Sequence, residues 1–182
     1  MSTHYFIALP IEQQLRDKLE KIQHGYDLRL YKHHVYPEDF HVTMAFLGQA
    51  SEEQLLSLHN GLQNVVENFR PFNIEIERIA GFGSKDQPRV LFAEVKINER
   101  LEQLHRKVVA VCSTAGFVSD QRAYRPHITL AKKWRFSDRK IASDWPVFKS
   151  ENQEVYSLKL YKVAPNEKPR YQCVESYAFN EL

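Results

Sequence analysis

A chain of 182 residues, 43% hydrophobic and 26% charged, has the balance of a folded globular protein and is long enough to bury a real core. A net charge of +2 at pH 7 is too small for a general nucleic-acid coat, yet it leaves room for a local basic patch that guides a phosphate. No Gly/Ser-rich or Pro-rich tract divides the sequence, no segment approaches a membrane span, and the N-terminus lacks the basic and apolar regions of a signal peptide. These features predict a cytoplasmic monomer with one domain over residues 1–182. Cys112 and Cys173 have no ligand-like spacing, so both are expected to be free buried thiols.

In chain order, Tyr5 to Leu9 reads as a short buried strand, and Ile11, Leu15, Leu19 and Ile22 recur at helical spacing after Pro10. Residues 41–47 form a second strand, ended by Gly48. Ser51 with Gln54 three residues on is a capping box for a helix bearing Leu55, Leu58, Leu62 and Val65. Phe72, Ile74 and Ile76 alternate with polar residues, and a Gly-rich run over 81–88 turns the chain back into Val90 to Ile97 as a hairpin. Asn98 caps a helix carrying Leu101, Leu104, Val108 and Val111, ended by Gly116, and a further strand starts near Pro126. After a charged, Trp-containing connection over 132–150, Val155 to Val163 and Tyr171 to Phe179 read as a final pair of strands. The sum is an α+β chain with two similar halves, antiparallel sheets and helices packed outside.

Two of these strands nearly repeat each other. His41-Val42-Thr43-Met44-Ala45 and His127-Ile128-Thr129-Leu130-Ala131 both read His, β-branched, Thr, apolar, Ala. Side chains at i and i+2 share a strand face, so each strand presents a His and a Thr on one face and apolar residues on the other. The small Ala45 and Ala131 are expected next along the polar face, leaving space for a ligand. A lone His-x-Thr is more often a satisfied structural histidine. Two copies with matching flanks place a pair of near-neutral titrating groups together, as one acid and one base require. Two such strands side by side would let the imidazoles approach one phosphorus from opposite sides, with Thr hydroxyls on its non-bridging oxygens.

Other candidates carry less. Arg125 has the parity of His127, although Pro126 interrupts the strand between them, and Lys132 has the opposite parity. Either could add a charge-assisted phosphate contact. Lys133, Arg135, Arg139 and Lys140 read as a solvated basic face, and Phe82 and Tyr124 as core aromatics able to stack on a base only if exposed. The remaining histidines follow no HxxxH or HxH pattern, so no metal site is expected, and no Gly-rich Lys-Ser/Thr loop is present.

The segments 41–48 and 125–132 resemble the two HxT signatures of the 2H phosphoesterase superfamily, and most of all its bacterial RNA 2′,3′-cyclic phosphodiesterases, also called 2′-5′ RNA ligases. Phe6-Ile7-Ala8-Leu9-Pro10, Phe82-Gly83, and Pro88-Arg89-Val90-Leu91-Phe92 are similar to further family segments, so the resemblance is clear to about residue 133. It implies a bilobal α+β fold, two pseudo-symmetric lobes flanking a central cleft that carries both motifs, and no metal or other cofactor. It also implies His41 as proton donor, His127 as proton acceptor, and Thr43 and Thr129 as phosphate ligands, on RNA or a nucleotide ending in a 2′,3′-cyclic phosphate. Alternatives that use the same groups are 2′-5′ RNA ligation, cleavage of 2′-5′-linked oligonucleotides, and an RNA end-binding module without turnover.

Overall fold

The computed structural model describes residues 3–25, 28–118, 122–140 and 148–180. Strand β1 (Tyr5–Pro10) buries Phe6, Ile7, Ala8 and Leu9. Pro10 closes this strand instead of opening a helix, and helix α1 (Gln13–Gly25) begins three residues later, burying Leu15 and Leu19. Strand β2 (Tyr31–His34) then precedes a one-turn 3-10 helix (Pro37–Asp39) and β3 (His41–Gly48), the first motif strand. Helix α2 (Glu52–Glu67) starts on a complete capping box: Gln54 N donates to Ser51 Oγ at 3.2 Å, and Ser51 N donates to Gln54 Oε1 at 3.1 Å.

The predicted hairpin is β4 (Phe72–Gly83) and β5 (Pro88–Lys96). Asn98 caps helix α3 (Glu99–Thr114), its Oδ1 accepting from Leu101 N at 2.9 Å, and Gly116 follows at φ 82°, where a Cβ would be strained. The second motif strand is β6 (His127–Trp134), and β7 (Glu151–Val155), β8 (Ser157–Val163) and β9 (Tyr171–Ala178) complete the chain. Residues 141–147 of the connection before β7 lie outside the described residues. Among the described residues no helix is long and apolar enough to cross a membrane.

These strands form one antiparallel sheet in the order β7-β4-β5-β6-β3-β1-β8-β9, with β2 paired to β6. The order divides into two four-stranded halves that meet where β3 lies beside β6. They pair there at one position, Val42 opposite Ile128, the second residue of each motif. Both side chains are fully buried and point to the core face, against which α1 packs at β6 and α3 at β3. What reads in sequence as one strand from Val155 to Val163 is two strands in different halves of the sheet. Tyr156 alone separates β7 from β8, so two strands that are far apart in strand order come within about 7 Å of each other. Buried Gln153 of β7 fastens this closure, donating to Pro10 O and accepting from Glu12 N, both at 2.9 Å.

Each motif strand carries a β-bulge at the same place. Along β1, Ala8 faces Thr43 and Ile7 faces Ala45, which leaves Met44 as the extra residue. Along β5, Phe92 faces Thr129 and Leu91 faces Ala131, which leaves Leu130. Simple alternation therefore fails beyond each Thr. Ala45 and Ala131 turn to the core face with Ile7 and Leu91, contrary to the expectation that they clear space beside the histidines. Phe46 and Lys132, the next residues, emerge on the motif face.

The second bulge is held by α1. Leu130 O accepts from Val35 N at 2.9 Å and from the buried Gln23 Nε2 at 2.7 Å, and Gln23 Nε2 also donates to Val35 O at 2.8 Å. At the first bulge, Tyr124 Oη donates to Thr43 O at 3.2 Å while its ring stacks on His105 at 3.7 Å. Gln23→Ala leaves two buried carbonyls short of a donor and is expected to cost about 1–3 kcal/mol. Urea unfolding should show a lower midpoint with an unchanged slope; an unchanged midpoint would mean that the bulge stands without α1.

Candidate active site

With Val42 and Ile128 opposite each other, extending the antiparallel register by one residue either way sets His41 level with Thr129 and Thr43 level with His127. All four share the face away from the core, and all four are partly buried. The structure thus brings together the two histidines and two threonines singled out in the sequence.

The two imidazoles are held in the same way. His41 Nδ1 lies 2.7 Å from Asp39 O, and His127 Nδ1 lies 2.7 Å from Arg125 O, in each case the carbonyl two residues earlier. A carbonyl only accepts, so Nδ1 carries the hydrogen in both rings and Nε2 is left as the titrating nitrogen. His41 Nε2 is 3.0 Å from Thr43 Oγ1, which donates to it while the ring is neutral and accepts from it once the ring is charged.

Aromatic rings surround each histidine. Phe6 and Tyr171 lie 4.8 and 5.2 Å from His41, with Tyr161 behind them at 6.4 Å, and Phe82 and Phe92 lie 5.0 and 5.3 Å from His127. Loss of water is accordingly the main influence on both rings. Burial, reinforced by the charges of Lys132 and His127, lowers His41 to about 4 against the bond to Asp39 O. Burial also lowers His127, with Arg125 and Lys132 acting in the same direction. Tyr161, partly buried, is raised by desolvation to about 12 and stays a hydroxyl.

Lys132 reaches the motif face because of the bulge at Leu130, so the opposite parity read from sequence does not apply. Its charge acts on both histidines, and its own pKa is lowered by burial and by the neighbouring Arg170 and Lys133. Arg125 precedes β6; its carbonyl holds His127 and its guanidinium carbon sits 4.9 Å over the Phe82 ring. Tyr124 is a packing residue of the first bulge.

Sequence reasoning gives no role to Asp39 beyond that of a lone acid. Its carboxylate is buried and accepts from the backbone N–H groups of Arg170 and Tyr171, each at 2.9 Å, while its carbonyl holds His41. One residue thus fixes both the imidazole and the β8–β9 hairpin that brings Tyr171 against it. Tyr161 and Tyr171 also escape a reading of the sequence; their strand alternation is visible, but nothing in it says that their face meets His41. Cys112 is buried as expected, whereas Cys173 is exposed, standing opposite Tyr161 on the edge strand β9. His59 packs against Tyr177, and His33 lies opposite Lys132. Among the described residues no group of three His, Cys, Asp or Glu side chains could hold a metal ion.

An antiparallel sheet with a His-x-Thr on each of two adjoining strands is the arrangement expected of the two-histidine phosphoesterases, and comparison with known proteins places the chain in that class. The model of the 2′-5′ RNA ligase superfamily matches residues 10–148, and the chain belongs to that family. It is 31% identical over 170 residues to a Bacillus subtilis protein named RNA 2′,3′-cyclic phosphodiesterase, covering 93% of this chain and 92% of that protein. Among solved structures it resembles a Thermus thermophilus protein, with a TM-score of 0.84 and 22% identity over 98% of each chain. It also resembles E. coli LigT complexed with 3′-AMP, with a TM-score of 0.79 and 18% identity over the whole of both.

In the ligand-free protein both histidines are therefore neutral at pH 7. Their folded values lie below the ordinary 6.5, so protonation favours the unfolded chain. Stability from each is complete above pH 6.5 and is lost as the pH falls below it, for His41 down toward 4. Imidazole NMR titration should place His41 near 4 and His127 below 6.5. A His41 midpoint at 6.5 would remove the desolvation argument.

Proposed function

We propose that this protein hydrolyses 2′,3′-cyclic phosphodiester ends of RNA or nucleotides to 2′-phosphomonoesters, with His127 as general base, His41 as general acid and no metal ion. The supporting observation is the matched tethering of both Nδ1 atoms at 2.7 Å, which leaves two Nε2 atoms on one face, one from each half of the sheet. Water attacks phosphorus as His127 Nε2 takes its proton. The bond from phosphorus to the ribose 3′ oxygen breaks, and that oxygen receives the proton of His41 Nε2, so the phosphate stays on the 2′ oxygen. Thr43, Thr129 and Lys132 stabilise the equatorial oxygens as negative charge builds on them.

His41 is held neutral before substrate binds, and it takes a proton from solvent as the substrate anion enters. The phosphodiester anion offsets the desolvation that disfavours the imidazolium. Ligation would run the same steps with a ribose 5′ hydroxyl in place of water: His127 takes its proton, the bond from phosphorus to the 3′ oxygen breaks, and His41 protonates that oxygen, leaving a 2′-5′ linkage. The names of the relatives favour hydrolysis as the primary reading.

Turnover of a cyclic-phosphate-ended oligoribonucleotide should persist in EDTA. His41→Ala and His127→Ala should each lose about 10²–10⁴-fold in kcat, and Thr129→Val about 10²-fold. Full activity in either histidine variant, or a 3′-phosphate product, would refute the assignment. The pH profile of kcat/KM should be a bell centred below pH 6.5, since both free-enzyme histidines are lowered. The kcat profile, which reports the anion-bound site, should lie at higher pH.

A further inference from the structure

We infer that the half of the sheet beside His127 carries a nucleobase subsite whose carboxylate, Glu94, selects guanine; the inference rests on the cyclic-phosphate reading above. A cavity of about 270 Å³ opens next to His127, lined among others by Phe82, Phe92, Arg78, Glu94, Arg125 and Pro126. It offers the two surfaces that recognition of an unpaired base requires, a planar face and a hydrogen-bonding edge.

The planar face is a pile of rings. Phe92 stacks on Phe82 with centroids 4.1 Å apart, and the exposed Arg125 guanidinium lies over Phe82 at 4.9 Å, presenting an outer plane on which a base can stack. The same two phenyl rings touch the His127 imidazole, so a base held there stays within a ribose of the phosphate position.

The edge is Glu94. It stands opposite His127 across β5 and β6 and therefore shares the motif face. Arg78 Nε donates to Glu94 Oε2 at 2.5 Å, which fixes the carboxylate and leaves Oε1 outside that bond. Guanine alone among the four bases presents two adjacent donors, N1–H and the N2 amino group, that match a carboxylate. Its O6 can also accept from the guanidinium of Arg78. Adenine and cytosine bring one amino donor each. Uracil brings a single N–H between two carbonyl oxygens, which the carboxylate repels.

The test is the rate of hydrolysis of the four nucleoside 2′,3′-cyclic phosphates. Guanosine should give the highest kcat/KM and uridine the lowest, at least tenfold apart, with the difference mainly in KM. In Glu94→Gln the guanosine-to-uridine ratio should fall toward one. Phe82→Leu should weaken all four substrates together. Equal kcat/KM for the four, or a ratio that survives Glu94→Gln, overturns the subsite and leaves the histidine chemistry standing. Absence of turnover on all four overturns the proposed reaction instead. Calorimetric binding of guanosine 2′-phosphate against uridine 2′-phosphate, in wild type and Glu94→Gln, then decides the subsite separately: selective binding lost in the variant supports it, and indifference refutes it.

Discussion

The two halves of the sheet are joined between β3 and β6 by one backbone pairing, Val42 with Ile128. Those residues hold the same place in the two motifs, so the pairing sets the two motif strands antiparallel with these matching residues level. His41 and His127, Thr43 and Thr129, the carbonyls that hold the imidazoles, and the two bulges all come in matched pairs. Neither half contains both histidines. The arrangement rests on buried supports, since Gln23 holds the second bulge, Tyr124 touches the first, and Gln153 ties β7 to the end of β1. Loss of a buried hydrogen-bonding group would act on the geometry of the site as well as on stability.

Desolvation gives the site its chemical character. The aromatic rings around His41 and His127 remove water that would otherwise solvate an imidazolium, and the nearby cations deepen the effect. A site that disfavours its own positive charge favours an anion, whose negative charge would restore the electrostatic balance and let an imidazole take up a proton from solvent. The lowered Lys132 belongs to the same arrangement: burial and the adjacent Arg170 and Lys133 make its charge costly until an anion is present.

Much of this can be read from residue order, and the failures have a common origin. The capping box at Ser51 and the Asn98 cap involve neighbours in sequence, so local pattern is enough to place α2 and α3. The shared face of His41 and Thr43 needs only a strand. A bulge, by contrast, is a relation between two strands, and nothing in Thr-Met-Ala-Phe or Thr-Leu-Ala-Lys announces the extra residue that turns Ala45 and Ala131 inward and brings Lys132 out. Strand β2 is four residues long with little alternation, and exists because β6 extends past β3 and offers it an edge. Alternation likewise runs through Tyr156, where the chain leaves one half of the sheet for the other. Tyr161, Tyr171 and the carboxylate of Asp39 converge on His41 only through the β8–β9 hairpin, which no local signal connects to the motif strand.

The bulges have one more effect. They deliver the fifth residue beyond each histidine to the motif face, and the duplicated pattern is broken there: one half offers Phe46, 61% exposed and stacked on His4, while the other offers Lys132. A perfectly symmetric face would present the same surroundings to both imidazoles. With a ring at one end and a cation at the other, the motif face acquires a polarity, and the two imidazoles stand in unlike company.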